Sequence, residues 1–146
     1  MRHRNYLAFL PLVALAFCGQ APVVIDFGKA ECAHCRMNVV DKKFGAVLVT
    51  NKGRQYVFDG VECMVPFVGD GQVDAEDVTE WWVCDHAHPG ELLDATRASF
   101  VHGDAYRSPM RGDVAAFATA QARDSSLAVA GGEALDWEGV TQKLAP

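Results

Sequence analysis

Three sulfur-bearing side chains in one short segment are the residues of this sequence best suited to chemistry. The segment reads Cys32-Ala-His-Cys35-Arg-Met37. Two thiolates separated by two residues can face one point when the backbone between them turns, and a thioether two residues further along can reach the same point. Thiolates and thioethers are soft ligands, which select Cu(I) over hard cations. The segment therefore predicts a soft-metal site, with Cu(I) as its occupant.

The same two cysteines are also compatible with other kinds of site. A CxxC pair occurs in zinc sites and in redox-active disulfides. Met37 favours copper over zinc, because a thioether is a poor zinc ligand, and no thioredoxin-like βαβ pattern surrounds the pair. A thiol–disulfide redox protein using Cys32 and Cys35, and a structural module held by zinc or by disulfides, stay open as alternatives.

The other sulfur-bearing residues give weaker signals. Cys63 and Met64 lie on a predicted short helix, where both residue types pack well in a core. Cys84 ends a predicted strand and is interpreted as a core residue or as a disulfide partner of Cys63. Met110 follows Pro109 in a loop of polar and glycine residues that offers a methionine little to pack against. Met110 is therefore a candidate for an additional soft ligand, with a simple loop position as the alternative.

Histidines are the remaining metal-ligating residues of interest. His34 lies inside the CxxC segment, and His86 and His88 follow Asp85 in a predicted loop. Two histidines at this spacing can bind Cu(II) or zinc. Solvated loop positions explain all three histidines more simply, so the predicted ligand set leaves them out.

The amino terminus has the pattern of an export signal. Basic residues precede an apolar run over 6–17 that is too short to span a bilayer as a helix. The run ends at Leu15-Ala-Phe-Cys18, which is similar to a bacterial lipobox, although Phe17 is larger than the residue usual before a lipidated cysteine. A plain signal peptide is the alternative. The predicted boundaries are a lipoprotein signal peptide over 1–17, lipidation at Cys18 and a tether over 18–31.

Composition narrows the class of protein. The formal net charge is −6 and no stripe of lysine and arginine is present, which argues against nucleic acid as a partner. A chain of 146 residues suits one small domain. No nucleotide-binding loop, nucleophile elbow or paired-carboxylate motif occurs. The sequence thus indicates a binding protein and not an enzyme.

Hydrophobic patterning predicts a strand–strand–helix order that occurs twice. Asp59 and Asp136 are expected to cap helices at their amino termini. The chain therefore predicts an α+β fold of two small, similar strand–strand–helix units packed together. The predicted domain covers 32–146, with halves at 32–75 and 76–146. The predicted strands are 44–50, 54–58, 79–84 and 99–102, and the predicted helices are 61–68, 114–123 and 137–144, with loops over 69–77 and 124–134.

Taken together, these motifs resemble the NosL family, the accessory lipoproteins of nitrous-oxide reductase maturation. The resemblance runs in family order over most of residues 18–144. It is carried by the lipobox-like start, Cys32-Ala-His-Cys35-Arg-Met37, Phe58-Asp59, Cys63-Met64, Leu93-Asp94-Ala95 before Phe100-Val101, and Ser108-Pro109-Met110 leading to Ala115-Ala116-Phe117.

The resemblance implies a function and a ligand set. It implies an α+β fold of two similar units and delivery of Cu(I) to the copper–sulfide centre of the reductase. It also implies a location on the periplasmic side of a membrane, with the lipid as anchor. The implied partners are a copper-receiving enzyme such as nitrous-oxide reductase and its maturation machinery. Cys32, Cys35 and Met37 become the implied copper ligands, with Met110 as a further one.

Overall fold

The computed structural model describes residues 21–146, which form an α+β fold with two antiparallel sheets. The α+β class predicted from the sequence is confirmed. The predicted signal peptide and Cys18 lie outside the described residues. The strands are β1 (Ala46–Thr50), β2 (Gln55–Phe58), β3 (Val78–Cys84), β4 (Leu92–Asp94), β5 (Ser99–His102), β6 (Val114–Phe117) and β7 (Glu133–Leu135), and the helices are α1 (Val61–Gly69), α2 (Ala120–Ala130) and α3 (Trp137–Leu144).

The two sheets repeat one arrangement. The first sheet has the order β2-β1-β3-β4 and the second has the order β6-β5-β7. In each sheet the first strand of the unit lies between two others. The second strand of the unit pairs with one side of it, and the strand after the helix pairs with its other side. The repeated unit is therefore strand–strand–helix–strand. Its second copy begins at β5, later in the chain than residue 76, where the second half was expected to start.

The segment around β6 differs from the sequence-based expectation. A helix was predicted over 114–123, but 114–117 form a strand whose four residues are all buried. A short apolar run has no periodicity that separates a buried strand from a buried helix. The helix begins after Thr119, whose hydroxyl accepts a hydrogen bond from the Ala122 N–H. The expected loop over 124–134 is therefore wrong, because it contains the rest of α2 and the start of β7.

Helix α1 is the element that matters most for the site. It follows β2 directly, and its buried face packs against the core. Gly60 occupies the N-cap position and no side chain caps the helix, so the predicted cap at Asp59 is wrong. Pro66 lies inside the helix without ending it. The predicted cap of α3 is confirmed, since the Asp136 carboxylate accepts a hydrogen bond from the Gly139 N–H.

The core has a main cluster and a smaller one. The main cluster joins the first sheet, α1 and part of the second sheet, with Phe58 at its centre and Phe67 of α1 against it at a ring distance of 5.1 Å. The smaller cluster includes Phe44 and Phe117. Among the described residues, no helix is both long enough and apolar enough to cross a membrane.

Candidate metal centre

The CxxC segment forms a tight loop pinned at both ends. The Cys32 N–H donates to the Met37 carbonyl at 2.8 Å, and the Arg36 N–H donates to the Cys32 carbonyl at 3.0 Å. The Ala33 N–H donates to the Val57 carbonyl at 2.8 Å, which ties the loop to β2. The two cysteines of the motif are thus held on one side of a compact turn at the end of the first sheet.

One residue of this loop has a backbone conformation that is unfavourable for its type. Arg36 has φ of 67°, in the left-handed region that favours glycine. The Arg36 N–H donates to the Cys32 carbonyl, and the exposed Arg36 side chain forms an ion pair with Glu31 at 3.3 Å. Strained residues of this kind concentrate at functional sites. Arg36 adopts this conformation directly after Cys35, in the turn that places Cys35 near Cys32.

A third cysteine comes from α1. Cys63 is in the first turn of the helix, three residues after the Phe58-Asp59-Gly60 sequence that ends β2 and starts α1. The Sγ atoms of Cys32, Cys35 and Cys63 all lie within 4.8 Å of one another. Among the residues that the structure describes, these three cysteines are the one group of three or more metal-ligating side chains close enough to hold a single ion. All three thiols are free.

The three thiols are not equivalent in their protonation. The Cys63 thiol donates a hydrogen bond to Cys32, and backbone N–H groups of His34, Cys35 and Asp59 surround the same sulfur, which lowers the pKa of Cys32 to about 4. That hydrogen bond and burial both raise the pKa of Cys63. Burial also raises the pKa of Cys35. The hydrogen bonds therefore favour the thiolate form at Cys32, with the Cys63 thiol as donor.

The cluster fits a small soft cation. Three sulfurs about 2.3 Å from one metal ion in a plane would be about 4 Å apart, and the three Sγ atoms all lie within 4.8 Å of one another. Cys32 and Cys63 are almost completely buried, whereas Cys35 is half-buried. A metal ion would take the place of the proton shared between Cys32 and Cys63, and Cys35 would close the site on its more open side.

Two methionines flank this region with exposed side chains. Met37 is 58% exposed and its N–H hydrogen-bonds to the Cys35 sulfur. Met110 is 42% exposed, and its N–H donates to the carboxylate of Glu62, the residue before Cys63, at 3.4 Å. Both backbones are therefore tied to the residues that carry the thiols.

The sequence and the fold both match known proteins. Residues 23–145 match the sequence profile of the NosL family. The chain belongs to the NosL family. Its fold is similar to the crystal structure of the copper chaperone NosL from Shewanella denitrificans, with a TM-score of 0.71, 21% sequence identity, and coverage of 85% of this chain and 98% of that chain. No curated protein sequence matches it at a significant level.

Within residues 21–146, Cys84 is the one cysteine of this NosL-family chain that does not belong to the cluster. Cys84 is buried at the end of β3, and its N–H donates to the Gly45 carbonyl. Its thiol is free, and burial raises its pKa to about 11. A Cys63–Cys84 disulfide, one of the arrangements left open by the sequence, is not formed in the structure.

His86 and His88 of this NosL-family chain make packing contacts and hydrogen bonds that do not involve the thiols. His86 is not a solvated loop residue, because its ring packs against Phe44, Tyr106 and Phe117. Burial lowers its pKa. The exposed His88 hydrogen-bonds through Nδ1 to the buried Asp85 carboxylate at 2.9 Å. The structure therefore explains this pair through packing and local hydrogen bonding.

Cys63 is the residue of the site whose position sequence reasoning missed. It was interpreted as core packing, and it is indeed buried, but its sulfur also meets those of the CxxC pair. The contact spans about thirty positions of the chain and depends on the Ala33–Val57 hydrogen bond between the loop and β2. No periodicity or local motif encodes such a contact. The one local signal for the position of Cys63 is that a hairpin ending in Phe58-Asp59 leads directly into the helix that carries it.

Proposed function

We propose that this NosL-family protein is a copper chaperone that carries Cu(I) on Cys32, Cys35 and Cys63. The observation that supports the proposal most strongly is the meeting of three free sulfurs within 4.8 Å. Soft thiolates favour Cu(I), and copper chaperone is also the description of the similar protein from Shewanella denitrificans. The protein would hold and release its cargo without chemical turnover, and so would not be an enzyme.

The exposed methionines have a place in this proposal. Met37 and Met110 would supply thioether ligands on the open side of the site, where Cys35 is only half-buried. A thioether binds Cu(I) without losing a proton, and as a neutral ligand it is displaced more easily than a thiolate. A partner's ligand could therefore replace a methionine first and the thiolates afterwards. This order of exchange suits a carrier that must give up its ion.

The proposed destination of the copper is based on the resemblance to the family. The resemblance to NosL supports delivery to a copper enzyme on the periplasmic side of a membrane, with nitrous-oxide reductase and its maturation machinery as the receiving partners. The net charge of −6 gives the protein an acidic character that disfavours nucleic acid. Cargo binding and partner recognition are separate properties, and each needs its own test.

A zinc site or a redox pair is the competing function. Three thiolates suit zinc as well as copper, and thiols within 4.8 Å of one another can form a disulfide after a small movement. The exposed methionines favour copper over zinc, since thioethers select Cu(I). A redox pair would not need Met37 or Met110 at all.

Cu(I) is expected to bind the reduced protein and to displace Zn(II) from it. The physical reason is the soft, sulfur-only donor set. The measurement is competition against a Cu(I)-specific chelator under anaerobic conditions, followed by metal analysis after addition of both ions. Retention of zinc in the presence of equimolar Cu(I) would reject the copper chaperone in favour of the structural zinc module.

We also propose that the protein is anchored through a lipid on Cys18. The basis is the basic, apolar, Leu-Ala-Phe-Cys order of the amino terminus. Cys18→Ala is expected to release the protein from membranes or to block its processing, because stable anchoring requires acyl chains. Membrane fractionation and mass spectrometry of the amino terminus would check this. A wild-type protein that begins after residue 18 would instead support the plain signal peptide.

A further inference from the structure

One carboxylate links the two repeats beside the thiol cluster. Glu62 is in the first turn of α1, next to Cys63, and its Oε1 accepts the hydrogen bond from the Met110 N–H at 3.4 Å. Burial raises the pKa of Glu62, while hydrogen bonds from Ser108 and Met110 oppose this shift. Glu62 thus belongs to the first repeat but accepts hydrogen bonds from the loop that precedes β6 in the second.

The loop that Glu62 holds is a closed ring of hydrogen bonds. The Ser108 N–H donates to the Asp113 carboxylate at 3.1 Å, and the Asp113 N–H donates to the Ser108 hydroxyl at 2.8 Å. The Arg111 side chain donates to the same carboxylate through Nε and through Nη2, each at 3.2 Å. Arg111 and Asp113 both have positive φ, 60° and 51°. Its carboxyl end is held where β6 begins, because the Gly103 N–H donates to the Asp113 carbonyl at 3.0 Å. The hydrogen bond from the Met110 N–H to Glu62 ties the loop to α1.

The loop that contains Met110 and Gly112 packs closely against α1 at Glu62. A Cβ atom added to Gly112 would lie 2.6 Å from the Glu62 Cβ, so only glycine allows the loop to approach α1 this closely. The other carboxylate oxygen of Glu62, Oε2, is buried and has no hydrogen-bond partner within the described part of the chain. An unpaired buried oxygen costs free energy, which is difficult to explain unless the position of Glu62 serves the site.

We propose that Glu62 is the positioning residue that holds Met110 at the copper site. The proposal rests on the proposed copper function, and it assigns a role that neither the CxxC motif nor the Pro-Met segment contains. Glu62 does not bind the metal. It fixes the backbone of Met110 beside Cys63, so that a thioether from the second repeat reaches an ion held by thiolates of the first.

A double-mutant cycle tests the proposal. Met110→Ala and Glu62→Ala are each expected to lower the Cu(I) affinity about 10-fold, within the range for loss of a supporting residue. The double variant Glu62→Ala/Met110→Ala is expected to lose about the same 10-fold in Cu(I) affinity, and not the product of the two single losses, because both changes remove the same ligand. Glu62→Gln should recover most of the affinity, since its amide oxygen can still accept the Met110 N–H.

Two further variants separate positioning from folding. Gly112→Ala should push the loop away from Glu62 and reproduce the effect of Met110→Ala. Glu138→Ala, which alters an exposed glutamate in the first turn of α3, should leave the affinity unchanged. Thermal unfolding of each metal-free variant shows whether the fold is retained, and the cycle is evaluated on variants that unfold like wild type.

The outcomes are distinguishable. Effects of Glu62→Ala and Met110→Ala that multiply in the double variant would overturn the positioning role, as would a Met110→Ala variant that binds Cu(I) like wild type. In either case binding that still depends on Cys32 would leave the copper function standing. Absence of Cu(I) binding by the wild-type protein would instead overturn the copper function, and this proposal with it.

Discussion

Replacing Cys63 by serine is expected to lower the Cu(I) affinity by more than about 100-fold, which exceeds the loss caused by removing a supporting residue. The Cys63 sulfur is buried and lies within 4.8 Å of both CxxC sulfurs. A serine hydroxyl in its place is a hard donor that Cu(I) binds poorly.

Cys84→Ser is the matched control for this prediction. Cys63 and Cys84 are both 1% exposed and both carry free thiols. The two substitutions therefore place the same polar group in the core, and any general loss of stability should be similar. Anaerobic titration with a Cu(I) chelator measures both affinities. Equal affinities of the two variants would mean that Cys63 is only a core residue, as the sequence alone suggested.

Phe58→Ala is expected to reduce the free energy of unfolding by about 3–5 kcal/mol, the usual cost of removing a buried phenylalanine side chain. Phe58 is fully buried and packs against Phe67 of α1. The residue that follows it, Asp59, donates its N–H to the Cys32 sulfur. The loss of packing should therefore loosen both α1 and the thiol cluster.

Urea denaturation monitored by circular dichroism measures this loss. Val129→Ala provides the comparison, because Val129 is 90% exposed on α2 and its truncation should change the free energy by no more than about 0.5 kcal/mol. A loss below about 1 kcal/mol for Phe58→Ala would show that the first sheet and α1 are not held together by this contact. The Cu(I) affinity of the same variant reports how closely the site depends on the core.

The local parts of the site could be predicted from the sequence. The CxxC segment and Met37 are within six positions of one another, so their spacing alone indicates a shared point of approach. The cap of α3 at Asp136 was likewise visible, because an N-cap acts over three residues. The family resemblance, confirmed by the profile match over 23–145, linked these segments in the correct order.

The non-local parts could not be predicted in the same way. The approach of Cys63 to Cys32 depends on how the CxxC loop docks on β2, which no local pattern specifies. The buried strand at 114–117 has four apolar residues and therefore no helical or strand periodicity to read. The contact of Glu62 with Met110 joins two repeats of the fold across 48 positions. Each of these features is a consequence of tertiary packing.

The carboxylates beside the cluster also required the structure. Asp59 was expected to cap α1, but it does not; it is 2% exposed, and burial raises its pKa to about 6. Its Oδ1 has no hydrogen-bond partner within residues 21–146. Buried carboxylates near a thiolate favour a positively charged occupant, because like charges in a low dielectric repel strongly. This electrostatic environment is consistent with a site designed for a cation.

Copper K-edge X-ray absorption spectroscopy of the anaerobically prepared, Cu(I)-loaded protein is the most direct test of the proposed site. We expect the first coordination shell of the copper ion to consist only of sulfur, with fewer sulfur neighbours in Cys63→Ser and an unchanged spectrum in Cys84→Ser. A first shell dominated by nitrogen or oxygen, with the same spectrum in wild type and Cys63→Ser, would contradict it.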